Sequence, residues 1–130
     1  MTVVVDANVA IAVLNPDHPF HRAAIRRCLT ADGVAILSVT RAEALIHPSR
    51  LQRLDQANAV LDHLGFRTDP VTDDVADQAR ALRAAYGNRS FPIVDAVVVA
   101  AGVVHGYTIV TCDQKWPDIA EAEIEVLVPE

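Results

Sequence analysis

Short runs of apolar, β-branched residues recur along this chain with helical segments between them, and this alternation constrains the fold more than any other feature. The clearest runs are residues 2–5, 34–37 and 108–111. Continuous apolar runs of this length are typical of parallel strands that are buried on both faces. Parallel strands need crossover connections, which are usually helices. The sequence therefore predicts an α/β fold with three layers, in which helices cover both faces of a central parallel sheet of about five strands.

The segments between these runs have helical patterns with recognisable ends. Predicted helices occupy residues 7–14, 19–31, 38–46, 48–63, 72–86 and 93–104. The helix over 48–63 places one row of apolar side chains on a single face, namely Leu51, Leu54, Ala57, Val60, Leu61 and Leu64. Gly87 and Asn88 are expected to end the helix over 72–86. Weaker strands are predicted at residues 66–68 and 124–128, with a short acidic helix or turn before the second of them.

Length and cysteine usage indicate one ordinary domain. The chain has 130 residues, 52% of them hydrophobic, which is enough for a core without disulfides or structural metals. No linker or repeat interrupts it, so we expect a single domain over residues 1–130. Cys28 and Cys112 lack a metal-binding spacing, and we interpret both as small core residues. The absence of a long apolar run and of a basic leader segment predicts a cytoplasmic protein without membrane contact.

The charge balance argues against a general nucleic-acid binder. There are 17 Asp and Glu residues against 11 Lys and Arg residues, giving a formal net charge of −6. A domain that binds phosphates by charge neutralisation alone is normally basic. Any contact with RNA would therefore depend on a metal ion or on a few placed cations. The candidates are Arg41, Arg50, Arg53, Arg89 and Lys115.

Four acidic residues lie where an open parallel sheet has its binding sites, just beyond the carboxyl ends of the strands. Asp6 and Asp113 directly follow predicted strands. Asp95 begins the most apolar helix, and Glu43 lies in the helix after the second strand. We expect no lysine or arginine in the strands or in the apolar helix to neutralise them, and uncompensated carboxylates in one crevice repel each other. A hard divalent cation such as Mg²⁺ or Mn²⁺ is the natural counter-ion.

Each of these acids also has an ordinary structural interpretation. Asp6 or Asp113 could cap the N-terminus of a helix, and Asp95 could interact with a helix dipole. Thr40 and Glu43 have the spacing of a capping box. These alternatives remain open on the sequence alone.

The same acids lie in four blocks that resemble those of the PIN-domain nucleases. The blocks are Val-Val-Asp-Ala-Asn at 4–8, Ser-Val-Thr-Arg-Ala-Glu at 38–43, Asp-Ala-Val-Val-Val-Ala-Ala at 95–101 and Thr-Cys-Asp-Gln-Lys-Trp at 111–116. Their order and spacing match over essentially the whole chain. The short chain is most similar to the VapC toxins, the ribonuclease halves of type II toxin-antitoxin pairs. Trp116 stands where that family more often has phenylalanine.

The resemblance implies a function and a set of site residues. Asp6, Glu43, Asp95 and Asp113 would be both the catalytic and the metal-binding residues of a Mg²⁺- or Mn²⁺-dependent endoribonuclease. Its substrate would be single-stranded or loop RNA, with transfer RNA a candidate. Its partner would be a cognate antitoxin, in a homodimer or a toxin-antitoxin hetero-oligomer. The helices over 48–64 and 79–86 are candidate contact surfaces.

Neighbouring polar residues and rival functions complete the set of hypotheses. Asn8 and Thr111 match polar positions beside the four acids, and Asp118 is a candidate fifth carboxylate. A haloacid-dehalogenase-like phosphatase would need a second aspartate where Asn8 stands. A non-catalytic α/β binding module is the other alternative. His18 and His21 have a spacing that zinc could use, but without a second pair of ligands a solvated helix start is the better explanation.

Overall fold

The computed structural model describes residues 1–87 and 89–130. Within these ranges, five strands form one parallel sheet: β1 (Thr2–Val5), β2 (Gly33–Leu37), β3 (Phe66–Asp69), β4 (Thr108–Thr111) and β5 (Ile124–Val126). Their order across the sheet is β3-β2-β1-β4-β5. The predicted parallel sheet of about five strands is therefore confirmed, with a last strand shorter than expected.

Helices cover both faces of this sheet. They are α1 (Ala7–Leu14), α2 (His21–Thr30), α3 (Ser38–Ala44), α4 (Ile46–Arg50), α5 (Leu54–His63), α6 (Asp73–Tyr86) and α7 (Ile93–His105). Successive side chains of a strand point to opposite faces. Accordingly, Val3 and Val5 of β1 belong to a core cluster with α1 and α2, whereas Val4 belongs to a second cluster with α6 and α7. This arrangement confirms the predicted three layers.

The strand order places a topological switch beside β1. The chain moves from β1 outward through β2 to β3, and then returns to add β4 on the other side of β1. Val5 at the end of β1 pairs with Val110 near the end of β4. Ligands of open α/β sheets bind at such a switch, outside the carboxyl ends of the strands. Asp6 and Asp113 follow these two strands.

The long helix predicted over residues 48–63 is wrong, because the chain forms two helices there. α4 ends at Arg50 and α5 begins at Leu54. Between them Gln52 has a φ of 56°, in the left-handed region. The N–H of Gln52 donates to the carbonyl of Ser49 and that of Arg53 to the carbonyl of Pro48, as in a Schellman motif. Glycine usually marks this motif, and with glutamine at this position the break could not be predicted from local sequence.

Other helix ends agree better with the sequence. Thr72 caps α6, accepting a hydrogen bond from the N–H of Val75 at 3.3 Å. Gly106 ends α7 in the left-handed conformation, and Gly87 follows α6. Asn88, predicted to share in that ending, lies outside the described residues. The acidic segment before β5 forms turns and no helix within the described residues.

Both cysteines are free thiols. Cys28 is buried in the core, as predicted, and Cys112 is half-buried. Burial raises the pKa of each thiol to about 11. Among the described residues, no helix combines the length and apolarity needed to cross a bilayer.

Gly102 tests how closely α7 packs on the sheet. A Cβ at this position would lie 2.3 Å from Cδ1 of Ile109 in β4. Gly102→Ala should therefore lower the free energy of unfolding by about 1–3 kcal/mol through overpacking, although alanine is the better helix former. Adding Ile109→Val removes Cδ1 and should recover part of the loss. Urea unfolding of the three proteins measures this, and an unchanged or more stable Gly102→Ala variant would contradict the packing.

Candidate active site

Asp6 joins β1 to both α1 and β4. Its side chain is only 5% exposed. Oδ1 accepts a hydrogen bond from the N–H of Ala7 at 2.8 Å, so the predicted N-cap role is confirmed. Oδ2 accepts a hydrogen bond from the hydroxyl of Thr111 at 2.9 Å. A cap needs only the first bond, and the second fixes this carboxylate at the carboxyl end of the sheet.

Thr111 organises the loop that follows β4. Its side chain is fully buried, and its hydroxyl oxygen also accepts from the N–H of Asp113 at 3.0 Å and from Nδ2 of Asn8 at 3.4 Å. Oδ1 of Asn8 accepts from the N–H of Cys112 at 3.0 Å. The two polar residues that the sequence singled out thus connect α1 to this loop and hold Asp6 and Asp113 in fixed relation.

Asp113 is not a helix cap. No helix among the described residues begins after β4, so that alternative is wrong. Its Oδ1 accepts a hydrogen bond from the N–H of Lys115 at 2.7 Å and closes a tight turn. The turn leaves the Asp113 side chain half-buried.

Asp95 lies in the first turn of α7, where a negative charge interacts favourably with the helix dipole. Its Oδ2 accepts a hydrogen bond from Nε1 of Trp116 at 3.1 Å. The sequence offered Trp116 only as an aromatic residue, so this contact with an acid was not foreseen.

Glu43 is not part of a capping box. α3 begins at Ser38, its N-cap position is Leu37, and no side chain caps it. Thr40 is therefore inside the helix, and Glu43 lies in the last turn with an exposed side chain. A negative charge is unfavourable at the C-terminal end of a helix. Local helix stability thus gives no reason for an acid at this position.

The four carboxylates act on one another electrostatically. Burial and, to a lesser extent, the charges of Asp95 and Glu43 raise the pKa of Asp6 to about 7, although the bonds from Thr111 and Ala7 lower it. Burial also raises the pKa of Asp95, which Asp113 and Glu43 raise further while Trp116 lowers it. No cation contributes to either shift, as expected.

Two of the basic residues are paired with groups other than the four acids. Arg67, which does lie in a strand, forms an ion pair with Asp69 at 2.8 Å and donates to the hydroxyl of Tyr107. Arg41 donates to Thr68 and Asn58. The remaining candidates for phosphate contact have exposed side chains; they are Arg50, Arg53, Arg89 and Lys115.

The site has the oxygen donors that a hard cation prefers, but these donors do not surround a ready-made binding position. Among residues 1–87 and 89–130, no group of three or more His, Cys, Asp or Glu side chains is placed to hold a metal ion. The available donors are carboxylate oxygens, which Mg²⁺ and Mn²⁺ prefer. Mg²⁺ usually keeps several waters and binds through one or two carboxylates. A ready-made cage of three acids is therefore not required.

The two histidines considered as zinc ligands and the candidate fifth carboxylate, Asp118, have different surroundings. His18 accepts from the N–H of Phe20, and Nδ1 of His21 lies 2.7 Å from the carbonyl of Ala12, so backbone contacts account for both rings. Asp118 is exposed and lines a cavity of about 560 Å³ beside Asp113.

Comparison with known proteins agrees with this arrangement, since residues 3–122 match the PIN domain family. The chain belongs to the PIN-domain family. Among proteins with curated functions, none matches its sequence significantly.

Several solved structures similar to this PIN domain come from toxin-antitoxin systems. VapBC2 from Rickettsia felis, bound to a DNA fragment from its promoter, has a TM-score of 0.75 at 17% identity, covering 98% of this chain and 100% of that one. VapC20 from Mycobacterium tuberculosis, a sarcin-ricin loop cleaving toxin, has a TM-score of 0.72 at 21% identity over 87% and 91%. VapBC-5 from the same organism has a TM-score of 0.66 at 27% identity over 96% and 98%. The resemblance stated from the sequence is confirmed.

The raised pKa of Asp6 predicts how the metal-free PIN domain responds to pH. In the folded state the Asp6 carboxyl keeps its proton up to about pH 7, whereas the ordinary pKa of an aspartate side chain is 3.8. Between these values the folded state binds more protons than the unfolded state, so stability should fall as pH rises, by up to about 1.4 kcal/mol per pH unit. Asp6→Asn should flatten this slope. Urea unfolding in EDTA from pH 4 to 8 measures it, and equal slopes in both proteins would refute the assignment.

Proposed function

We propose that this PIN domain is a Mg²⁺- or Mn²⁺-dependent endoribonuclease and the toxin of a toxin-antitoxin pair. The observation that carries the proposal is the group of mutually repelling carboxylates at the switch point between β1 and β4, where no cation of the described residues offsets the raised pKa of Asp6 or Asp95. Membership in the PIN-domain family supports the nuclease chemistry. The same family match favours a nuclease over the haloacid-dehalogenase-like phosphatase.

We assign the metal site to the acids named from the sequence. Asp6, Asp95 and Asp113 would hold the cation directly or through water, and Glu43 would be a further ligand or would orient the attacking water. When bound, the cation supplies an activated water and neutralises charge on the phosphate. The exposed side chain of Glu43 has the freedom that a water-orienting carboxylate needs.

The remaining site residues would keep these acids in position. Thr111 and the N–H of Ala7 each hold one oxygen of Asp6, which limits its rotation. Asn8 fixes the loop that carries Asp113 through its bond to Cys112. Such partners orient ligands and influence metal affinity.

The proposed substrate is single-stranded or loop RNA, with transfer RNA a candidate, cut to leave 5′-phosphate and 3′-hydroxyl ends. One structural neighbour, VapC20, is a sarcin-ricin loop cleaving toxin, which illustrates a structured-RNA target on this fold. The net charge of −6 means that the cation and a few exposed arginines would provide the phosphate contacts. Such a substrate would place the enzyme in the cytoplasm.

The proposed partner is a cognate antitoxin, since similar structures include toxin-antitoxin complexes. Three apolar residues at and after the break between α4 and α5 are exposed: Leu51 by 48% of its surface, and Leu54 and Val60 by 39% each. Leu51 and Val60 line a groove of about 320 Å³. Contiguous apolar surface of this kind marks interaction sites. α6 buries Ala79 and Leu82 instead, so we favour the α4–α5 face over α6 for the antitoxin or for a second copy of this chain.

Loss of any proposed ligand should abolish RNA cleavage. Asp6→Asn, Asp95→Asn and Asp113→Asn should each lower the Mg²⁺-supported rate on RNA by at least about a hundredfold, because a ligand of the catalytic ion is lost. Circular dichroism should show the fold intact. Asp62→Asn, which alters an exposed aspartate on α5, is the matched control and should cut at the wild-type rate.

EDTA should also stop cleavage by the wild type. Cleavage that persists in EDTA, or an Asp95→Asn protein as fast as the wild type, would rule out the shared metal site. A pure protein that never cuts RNA with either cation would favour a non-catalytic binding module.

The α4–α5 face should be needed for the antitoxin but not for chemistry. Leu51→Asp places a charge in the apolar groove and should weaken binding of the co-expressed antitoxin at least about tenfold, with RNA cleavage retained. Val104→Asp, which changes a similarly exposed residue on α7, is the control. Calorimetry with the purified antitoxin measures the affinity of both variants. Unchanged affinity in Leu51→Asp would exclude this face.

A further inference from the structure

Trp116 connects the loop after β4 to the start of α7, next to the acidic site. It is the only tryptophan of the chain. Its ring packs edge-on against Phe91, with ring centroids 5.7 Å apart and an interplanar angle of 70°. Phe91 is fully buried, two residues before α7 begins. The core therefore fixes the indole beside the first turn of α7, where Asp95 lies.

The polar edge of this indole contacts an acid of the site. Nε1 of Trp116 donates to Oδ2 of Asp95 at 3.1 Å. An indole N–H is a donor only, so the bond needs an acceptor such as a carboxylate oxygen. The bond engages Oδ2 alone, so it does not prevent Oδ1 of Asp95 from acting as a ligand.

The bond also opposes a specific force. Asp113 and Glu43 both repel Asp95, and Asp95 and Asp6 repel each other. A carboxylate without a donor would turn away from these neighbours toward water. Trp116 is the side chain that holds it, and the turn closed by Asp113 and Lys115 keeps Trp116 at that point.

We propose that Trp116 is a positioning residue, whose indole N–H holds Asp95 against its acidic neighbours so that Asp95 can bind the divalent cation. In this role Trp116 contacts neither the cation nor RNA. The inference rests on the metal-dependent function proposed above. Loss of a partner that orients a metal ligand typically weakens metal binding about 10- to 100-fold.

Trp116→Phe is the direct test, because phenylalanine keeps an aromatic ring against Phe91 and removes the N–H donor. Calorimetry with Mn²⁺ should show about tenfold weaker binding in Trp116→Phe than in the wild type. In an Asp95→Asn background the same change should have no further effect, since the indole acts through Asp95. A merely structural role would weaken binding in both backgrounds.

The outcomes separate this inference from the proposed function. Equal Mn²⁺ affinity in wild type and Trp116→Phe, or an equal loss in both backgrounds, would overturn the role of Trp116 and leave the nuclease standing. A wild type that binds no Mn²⁺ would overturn the metal-dependent function and this inference with it.

A second measurement needs neither metal nor Trp116→Phe. The only indole N–H gives one resonance in a proton–nitrogen spectrum of the metal-free protein. Asp95→Ala should move this resonance upfield and speed its exchange with solvent, because the acceptor is gone. Glu43→Gln, which neutralises a nearby acid without removing the acceptor, should leave it nearly in place. If Asp95→Ala changed neither the chemical shift nor the exchange rate of the indole N–H, the inference would be overturned.

Discussion

The pairing of β1 with β4 is the constraint on which the site depends. In this register Val5 lies opposite Val110, and the N–H of Asp6 donates to the carbonyl of Val110 at 3.0 Å. The next residue of β4, Thr111, then reaches the carboxylate of Asp6 with its hydroxyl. A slip of one residue would turn every side chain of the strand to the opposite face. The buried valines that fix the register therefore also bring the site together.

This arrangement stores electrostatic repulsion at the end of an otherwise ordinary core. Asp6 is buried where its charged form is disfavoured, and its acidic neighbours increase that cost. The hydrogen bonds from Thr111 and Ala7 offset only part of it. Structural acids are normally paired with a cation, and these acids are instead held by neutral donors. A binding site for a cation explains this pattern better than a contribution to folding stability.

The sequence predicted most of the fold because its strands and caps have local signals. β1, α1 and β4 have the predicted limits, and Asp6 caps α1 while also joining the site. The left-handed Gln52 could not be foreseen, since neither glycine nor asparagine marks it. The capping-box interpretation of Glu43 failed because α3 starts two residues before Thr40. The bond from Trp116 to Asp95 depends on packing between distant segments, which local patterns do not encode.

We expect the acids beside β1 and β4 to form one cation site. Crystals soaked in Mn²⁺ test it most directly, because anomalous scattering locates the ion without reference to activity. We expect a peak within about 2.0–2.3 Å of carboxylate oxygens from at least one of Asp6, Asp95 and Asp113, with the others bound directly or through water. A fully soaked crystal with no peak in this crevice, or with the ion bound only at other acids, would contradict the claim.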